Sequence, residues 1–213
     1  MNIRNIVLAV ASAALIALAP AASAQSARQI MDKTASVLKS AGGIKASYSA
    51  TSFRNKTAIG QTSGDICISG RKFRTTAGKN ITWFNGTTQW AYNGSSEEVY
   101  VSTPTESELQ GMNPYVFVDL YKSGYTLSVS NTTYAKRACY EVKMKGKKGK
   151  SIRQMLVTID KQTNLPVCIR MLQSNNIWLR LQVYGISTHQ SWSASFFQFD
   201  KTKYPKAEVV DLR

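Results

Sequence analysis

The densest run of chemically distinctive residues lies between Lys143 and Arg153, reads K-M-K-G-K-K-G-K-S-I-R, and gathers Lys143, Lys145, Lys147, Lys148, Lys150 and Arg153. Its Gly149-Lys150-Ser151 matches the end of a phosphate-binding loop, which needs four residues between its first glycine and the G-K-S, whereas Gly146 leaves only two. A nucleotide cradle is excluded here. Two readings remain: a solvated hairpin turn guarded by lysines, or a docking patch for an anionic partner, either lipid headgroups or an acidic protein surface. Each basic residue near a charged membrane contributes ~1 kcal/mol of attraction.

No other group of residues suggests bond-making chemistry. His189 is the only histidine, which argues against a zinc protease, a histidine-rich metal site or a Ser-His-Asp hydrolase. Glu97 and Glu98 are sequential and so point to opposite faces of a strand. Glu106 and Glu108 suit helix starts, and Asp65, Asp119, Asp160 and Asp200 are scattered. Cys67, Cys139 and Cys168 show no C-x-x-C spacing. The expectation is a protein that is no enzyme and binds neither metal nor cofactor. Cys139 and Cys168 share their strand sides with Glu141 and Arg170 and are expected to face outward. One intervening strand would set them ~9.6 Å apart, too far for a disulfide without a bulge or a different strand order.

The chain has 213 residues, with 27 Lys and Arg against 12 Asp and Glu, a formal charge of +15 and a pI of about 9.9. With 43% apolar, 10% aromatic and 18% charged residues it can build a core. Residues 1–24 read as a signal peptide: Arg4 is the basic start, Ile6 to Leu18 the apolar run, and Ala22-Ser23-Ala24 the cleavage site. The run is shorter than the ~20 residues of a membrane-spanning helix. A periplasmic domain over residues 25–213, cleaved after Ala24 and monomeric, is expected. Its charge alone would suit nucleic acid, but an exported compartment does not.

From Ser26 to Ser40, Ala27, Ile30, Met31, Thr34, Val37 and Leu38 recur at spacings of three and four, the period of an amphipathic helix ended by Gly42-Gly43. Beyond it the period is two: Ile66 and Ile68, Val99 and Val101, Tyr140, Val142 and Met144, Ile177 to Val183. About ten to eleven antiparallel strands are implied, with turns such as Asn85-Gly86, Asn93-Gly94 and Gly146 to Gly149. The alternation stops between Thr103 and Lys122. There Thr103-Pro104-Thr105-Glu106 has the form of a capping box, and Asn113-Pro114 opens a second short helix. The N-terminal helix and this two-helix insertion must cover the sheet, as core or as a movable lid. The aromatic and aliphatic stock, Phe53, Phe73, Trp83, Trp90, Tyr92, Val99, Val101, Tyr115, Phe117 and Leu120, would then be either packed core or the wall of a cavity for acyl chains.

The ordered series of motifs resembles the LolA family of periplasmic lipoprotein carriers. Gly64 to Phe73 (G-D-I-C-I-S-G-R-K-F) is similar to that family's glycine-led hydrophobic strand followed by Arg and Phe. Trp83 to Tyr92 (W-F-N-G-T-T-Q-W-A-Y) resembles its (D/N)-G-x-x-x-W-x-Y hairpin, and Glu208 to Leu212 its tail. The likeness implies an incomplete antiparallel β-barrel whose hydrophobic cavity accepts lipoprotein acyl chains beneath helices. It makes Arg71 the residue that latches the lid; the alternative is an ordinary strand-end arginine. Ile30, Met31, Val37 and Leu38 would belong to the lid. The implied partners are acylated lipoproteins, an inner-membrane lipoprotein-releasing ABC transporter and an outer-membrane acceptor. The rival readings are a periplasmic lipid or lipoprotein sensor and a basic, non-catalytic interaction module.

Overall fold

The computed structural model describes residues 25–105, 108–109 and 120–213. Its elements run α1 (Ala27–Ser40), β1 (Gly43–Arg54), β2 (Thr57–Ser69), β3 (Lys72–Ala77), β4 (Asn80–Phe84), β5 (Gln89–Asn93) and β6 (Glu98–Ser102). After the insertion come β7 (Tyr125–Tyr134), β8 (Arg137–Gly146), β9 (Ile152–Asp160), β10 (Pro166–Gln173), β11 (Trp178–Gln190) and β12 (Glu208–Asp211), with a 3₁₀ turn at Ala194–Phe197. All twelve strands form one sheet in the order β12-β6-β5-β4-β3-β2-β1-β11-β10-β9-β8-β7. β12 lies parallel to β6; the other ladders are antiparallel. The sheet is open, with β12 and β7 as its edges. Two sequence expectations change: there are twelve strands, and α1 is the one full-length helix among the described residues. Most of the expected two-helix insertion, with Tyr115 and Phe117, lies outside the described residues.

α1 begins where the sequence has a capping box. The Ser26 hydroxyl accepts from the Gln29 N–H at 3.2 Å, and the Gln29 side-chain oxygen accepts from the Ser26 N–H at 2.8 Å. It ends at Gly42, whose φ of +64° is free to glycine and costly to other residues. The apolar stripe Ala27, Ile30, Met31, Ala35 and Leu38 joins one core cluster with Ile44 (β1), Tyr125 (β7), Val142 and Met144 (β8), Met155, Val157 and Ile159 (β9), Ile169 and Met171 (β10) and Leu181 (β11). Six neighbouring strands laid flat would span ~24 Å, about twice a helix diameter of ~10–12 Å. One helix can share a cluster with all of them because the sheet wraps around it. Ile30 and Met31, 2% and 0% exposed, are core, and Val37 is only half-buried.

The meander puts its turns on two rims. The first rim carries the β1–β2, β3–β4, β5–β6, β8–β9 and β10–β11 turns; the second carries β2–β3, β4–β5, β7–β8 and β9–β10. α1 delivers the chain to β1 at the second rim, where the His189 N–H donates to the Ala41 carbonyl at 2.7 Å. The insertion leaves β6 at the second rim and re-enters β7 at the first, so it connects the two edge regions of the open sheet. Its capping box is displaced from the expected place. The Thr105 N–H donates to a Glu108 carboxylate oxygen at 2.7 Å, and the Glu108 N–H to the Thr105 hydroxyl at 3.3 Å. Both T-x-x-E frames exist in the sequence, and the later one is used, leaving Pro104 outside the helix start. These bonds from Thr105 hold the Glu108 carboxyl below the usual carboxylate range.

Candidate site on the helix-covered face of the sheet

Register decides which side chains share a face. Ile68 pairs with Phe73, and Phe73 with Phe84; Ile44 and Ala46 of β1 pair with Ile68 and Ile66. These residues therefore lie on the α1 side, and Ala46, Ile66, Ile68, Phe73 and Phe84 form a second apolar cluster with Leu109 of the insertion. Phe73 and Phe84 rings meet at 5.3 Å between centroids. Tyr48, Val183 and Ile186 are half-buried and pack against both clusters, so the apolar surface is continuous across β11 and β1. Gly64 keeps that surface closed beside Tyr48, its partner across the β1–β2 ladder. A Cβ there would sit 1.6 Å from the Thr76 carbonyl oxygen, the same oxygen that accepts from the Tyr48 hydroxyl at 3.3 Å.

The expected cavity wall is split between two faces. Arg74 pairs with Trp83, Trp83 with Trp90, Trp90 with Val101, and Tyr92 with Val99. Since Arg74 alternates with Phe73, all of these side chains point away from α1. They form a separate layer, closed over by the C-terminal segment. Trp83 meets Phe199 and Tyr204 edge-on at 5.8 and 5.6 Å, Tyr92 lies 4.9 Å from Tyr204, and the Arg74 guanidinium sits 5.0 Å over the Phe196 ring. Phe53 also faces away from α1, paired with Trp178 and covered by Arg180 at 5.0 Å. Of the expected wall residues, the structure places Phe73 on the α1 face and Leu120 half-buried against the α1 cluster. The sequence reading missed Tyr48, Ala46, Val183, Ile186 and Leu109. The adjacent Trp83-Phe84 was the signal, because two large apolar neighbours on a strand require both faces to be covered.

Both described ends of the insertion dock on the α1 side. Leu109 lies in the second cluster. At the other end the fully buried Tyr121 donates its hydroxyl proton to Asp32 of α1, with the Arg28 guanidinium 5.9 Å from its ring centre. Arg71 lies in the β2–β3 turn, two residues before Phe73 and on the rim from which the insertion departs. A cleft of about 480 Å³ opens on that second rim, where β11 runs on past the start of β10; Tyr134, Arg137, Leu165, Val183 and Ile186 are among its walls. Tyr134 reaches across three strands to accept from the Gln182 amide at 2.7 Å, so the end of the β7–β8 hairpin bends over them.

The cysteines correct another expectation. Cys139 and Cys168 do point away from α1, with β9 between them, but both are buried, at 0% and 2% exposure. The Arg170–Glu141 ion pair and the Arg137–Asp160 pair, 3.5 Å apart, lie on the same side. All three cysteines are free, and burial pushes each thiol up from its ordinary value.

Lys143, Lys145, Lys147, Lys148, Lys150 and Arg153 are all exposed, around the β8–β9 turn on the first rim. The site on the α1 face is thus an apolar surface with no charged group among its named members, and the basic group lies at one end of the sheet.

Comparison with known proteins agrees with this architecture. The family model described as outer membrane lipoprotein carrier protein LolA matches residues 18–175. No curated protein matches the chain by sequence. An uncharacterized conserved protein from Thermus thermophilus shares the fold at a TM-score of 0.58 and 14% identity, over 88% of this chain and 99% of that one. Looser likenesses are to a DUF1329 family protein from Desulfovibrio piger (TM-score 0.47, 9% identity, 82% and 98% covered) and a LolA superfamily protein from Nitrosomonas europaea (TM-score 0.45, 10% identity, 83% and 99% covered). The chain belongs to the family of the outer membrane lipoprotein carrier protein LolA.

Proposed function

We propose that the protein is a periplasmic carrier that shelters the acyl chains of lipoproteins on the α1 face of its sheet and moves them from the inner to the outer membrane. The observation that carries this reading is the second apolar cluster. Ala46, Ile66, Ile68, Phe73 and Phe84 are buried in a cluster whose described member from outside the sheet is Leu109 and not a side chain of α1. α1 is fixed core, so the movable cover is the insertion. Among the described residues, Leu109 packs into that cluster at the leading end and Tyr121 is held at the trailing end by its hydrogen bond to Asp32, beside Arg28. Arg71, in the β2–β3 turn on the rim from which the insertion departs, would serve as its latch.

Energetics set the need for such a carrier. Each acyl CH₂ favours an apolar environment by ~0.8 kcal/mol, so a multiply acylated protein cannot cross water bare. No bond is made or broken; cargo is received from an inner-membrane lipoprotein-releasing ABC transporter and passed to an outer-membrane acceptor. Residues 1–24 act as a cleaved signal peptide, and no metal or cofactor takes part. Added to inner-membrane vesicles that carry newly acylated lipoproteins and the releasing transporter, the purified protein should bring lipoprotein into the soluble fraction as a complex of one cargo per carrier. Lipoprotein that stays on the vesicles in the presence of folded protein and ATP contradicts the proposal.

A further inference from the structure

We infer that the first rim of the sheet is a membrane-docking surface whose partner is the anionic phospholipid headgroup layer of a bilayer. This goes beyond acyl-chain carriage and does not depend on it. The turns on that rim carry Lys56 between β1 and β2, Lys79 between β3 and β4, and Lys147, Lys148 and Lys150 between β8 and β9. The exposed Arg153 is the second residue of the next strand, beside them. From Lys143 to Arg153 the chain holds six basic residues and no acidic one, and the neighbouring Glu141 is engaged by Arg170. Glu97, in the β5–β6 turn, is the acidic residue of the rim turns and lies toward the opposite edge of the sheet.

The chemistry of the turn favours lipid over protein. Gly146 to Ser151 presents three exposed lysines and no aromatic or aliphatic side chain. Protein interfaces are built around Tyr, Trp and Arg anchors and are depleted in Lys. A headgroup layer asks only for positive charge within a Debye length, at ~1 kcal/mol per residue. α1 starts at this rim, as Arg28 over Tyr121 shows, and so brings one more cation to it.

The turn also grips the exit of the insertion. The Lys147 N–H donates to the Gly124 carbonyl at 2.9 Å, and the Lys150 ammonium lies 5.8 Å from the Tyr125 ring centre. Docking would therefore seat the start of β7, at Gly124 and Tyr125, against the membrane surface.

The test is co-sedimentation of the purified exported protein with vesicles of phosphatidylcholine alone or with phosphatidylglycerol added, at low salt and at 0.5 M salt, a condition where charge attraction is screened within roughly 4 Å. Binding should require phosphatidylglycerol and disappear at high salt. K147E/K148E, which avoids the lysine packed on Tyr125, should bind at least about tenfold more weakly. K39E/K136E, the same charge change away from the first rim, should match the unmodified protein. Binding to phosphatidylcholine alone, equal losses in both variants, unchanged binding by K147E/K148E, or capture by polyglutamate but not by the vesicles would each overturn the inference. The vesicles contain no lipoprotein, so failure of the carrier reading would leave this result unaffected.

Discussion

Glutamate at both Val183 and Ile186 should abolish acyl-chain binding while the protein stays folded. Both residues are half-buried, both pack against the two apolar clusters, and both reach the cleft on the second rim. In the empty protein their carboxylates can turn toward that cleft and remain solvated. With an acyl chain in place they would be buried without a partner, at a cost of several kcal/mol. Since ~2.7 kcal/mol is already a hundredfold in affinity, titration with a fluorescent fatty acid should show at least about that loss, with an unchanged far-ultraviolet spectrum. Trp90→Glu is the informative contrast. It disturbs the aromatic layer beneath the C-terminal segment and should lower stability, yet the folded fraction should bind the probe within about twofold of the unmodified protein. If Trp90→Glu removes binding and the Val183/Ile186 variant keeps it, the assignment of faces is wrong.

Met31→Ala should destabilise the protein by about 2–5 kcal/mol, the range for deleting a fully buried large apolar side chain that the surroundings cannot refill. Met31 is 0% exposed within the cluster that α1 shares with β7 to β11. Urea unfolding would measure the loss as a lower midpoint at constant slope. A change under about 0.5 kcal/mol would mean that α1 is loosely seated, and the cover role assigned to the insertion would then pass to the helix.

The elements were legible because each has a local cause. Ser26 and Gln29 state where α1 begins, Gly42 where it ends, and strict alternation in Met155, Val157 and Ile159 marks β9 without reference to anything distant. The site was less legible because alternation separates two faces without saying which is inside. Trp90 and Tyr92 look like cavity wall until the register shows them opposite Phe73 and Phe84, under Phe199 and Tyr204 from more than a hundred residues later. The same limit applies to Cys139 and Cys168. Their side of the sheet follows from Glu141 and Arg170, but their burial follows from how the β7–β8 hairpin bends over, which brings Tyr134 to Gln182. Ala46 and Leu109, small or isolated in sequence, gain meaning only when Leu109 packs against residues of β1 to β4.

The central claim is that acyl chains lodge on the α1 face between β11 and β4, and photolabelling with a diazirine-bearing fatty acid followed by peptide mass spectrometry tests it most directly. Labels should fall on Tyr48, Phe73, Val183 and Ile186. Labels confined to Trp83, Trp90 and Tyr92, or a folded protein that takes no label at saturating probe, would contradict it.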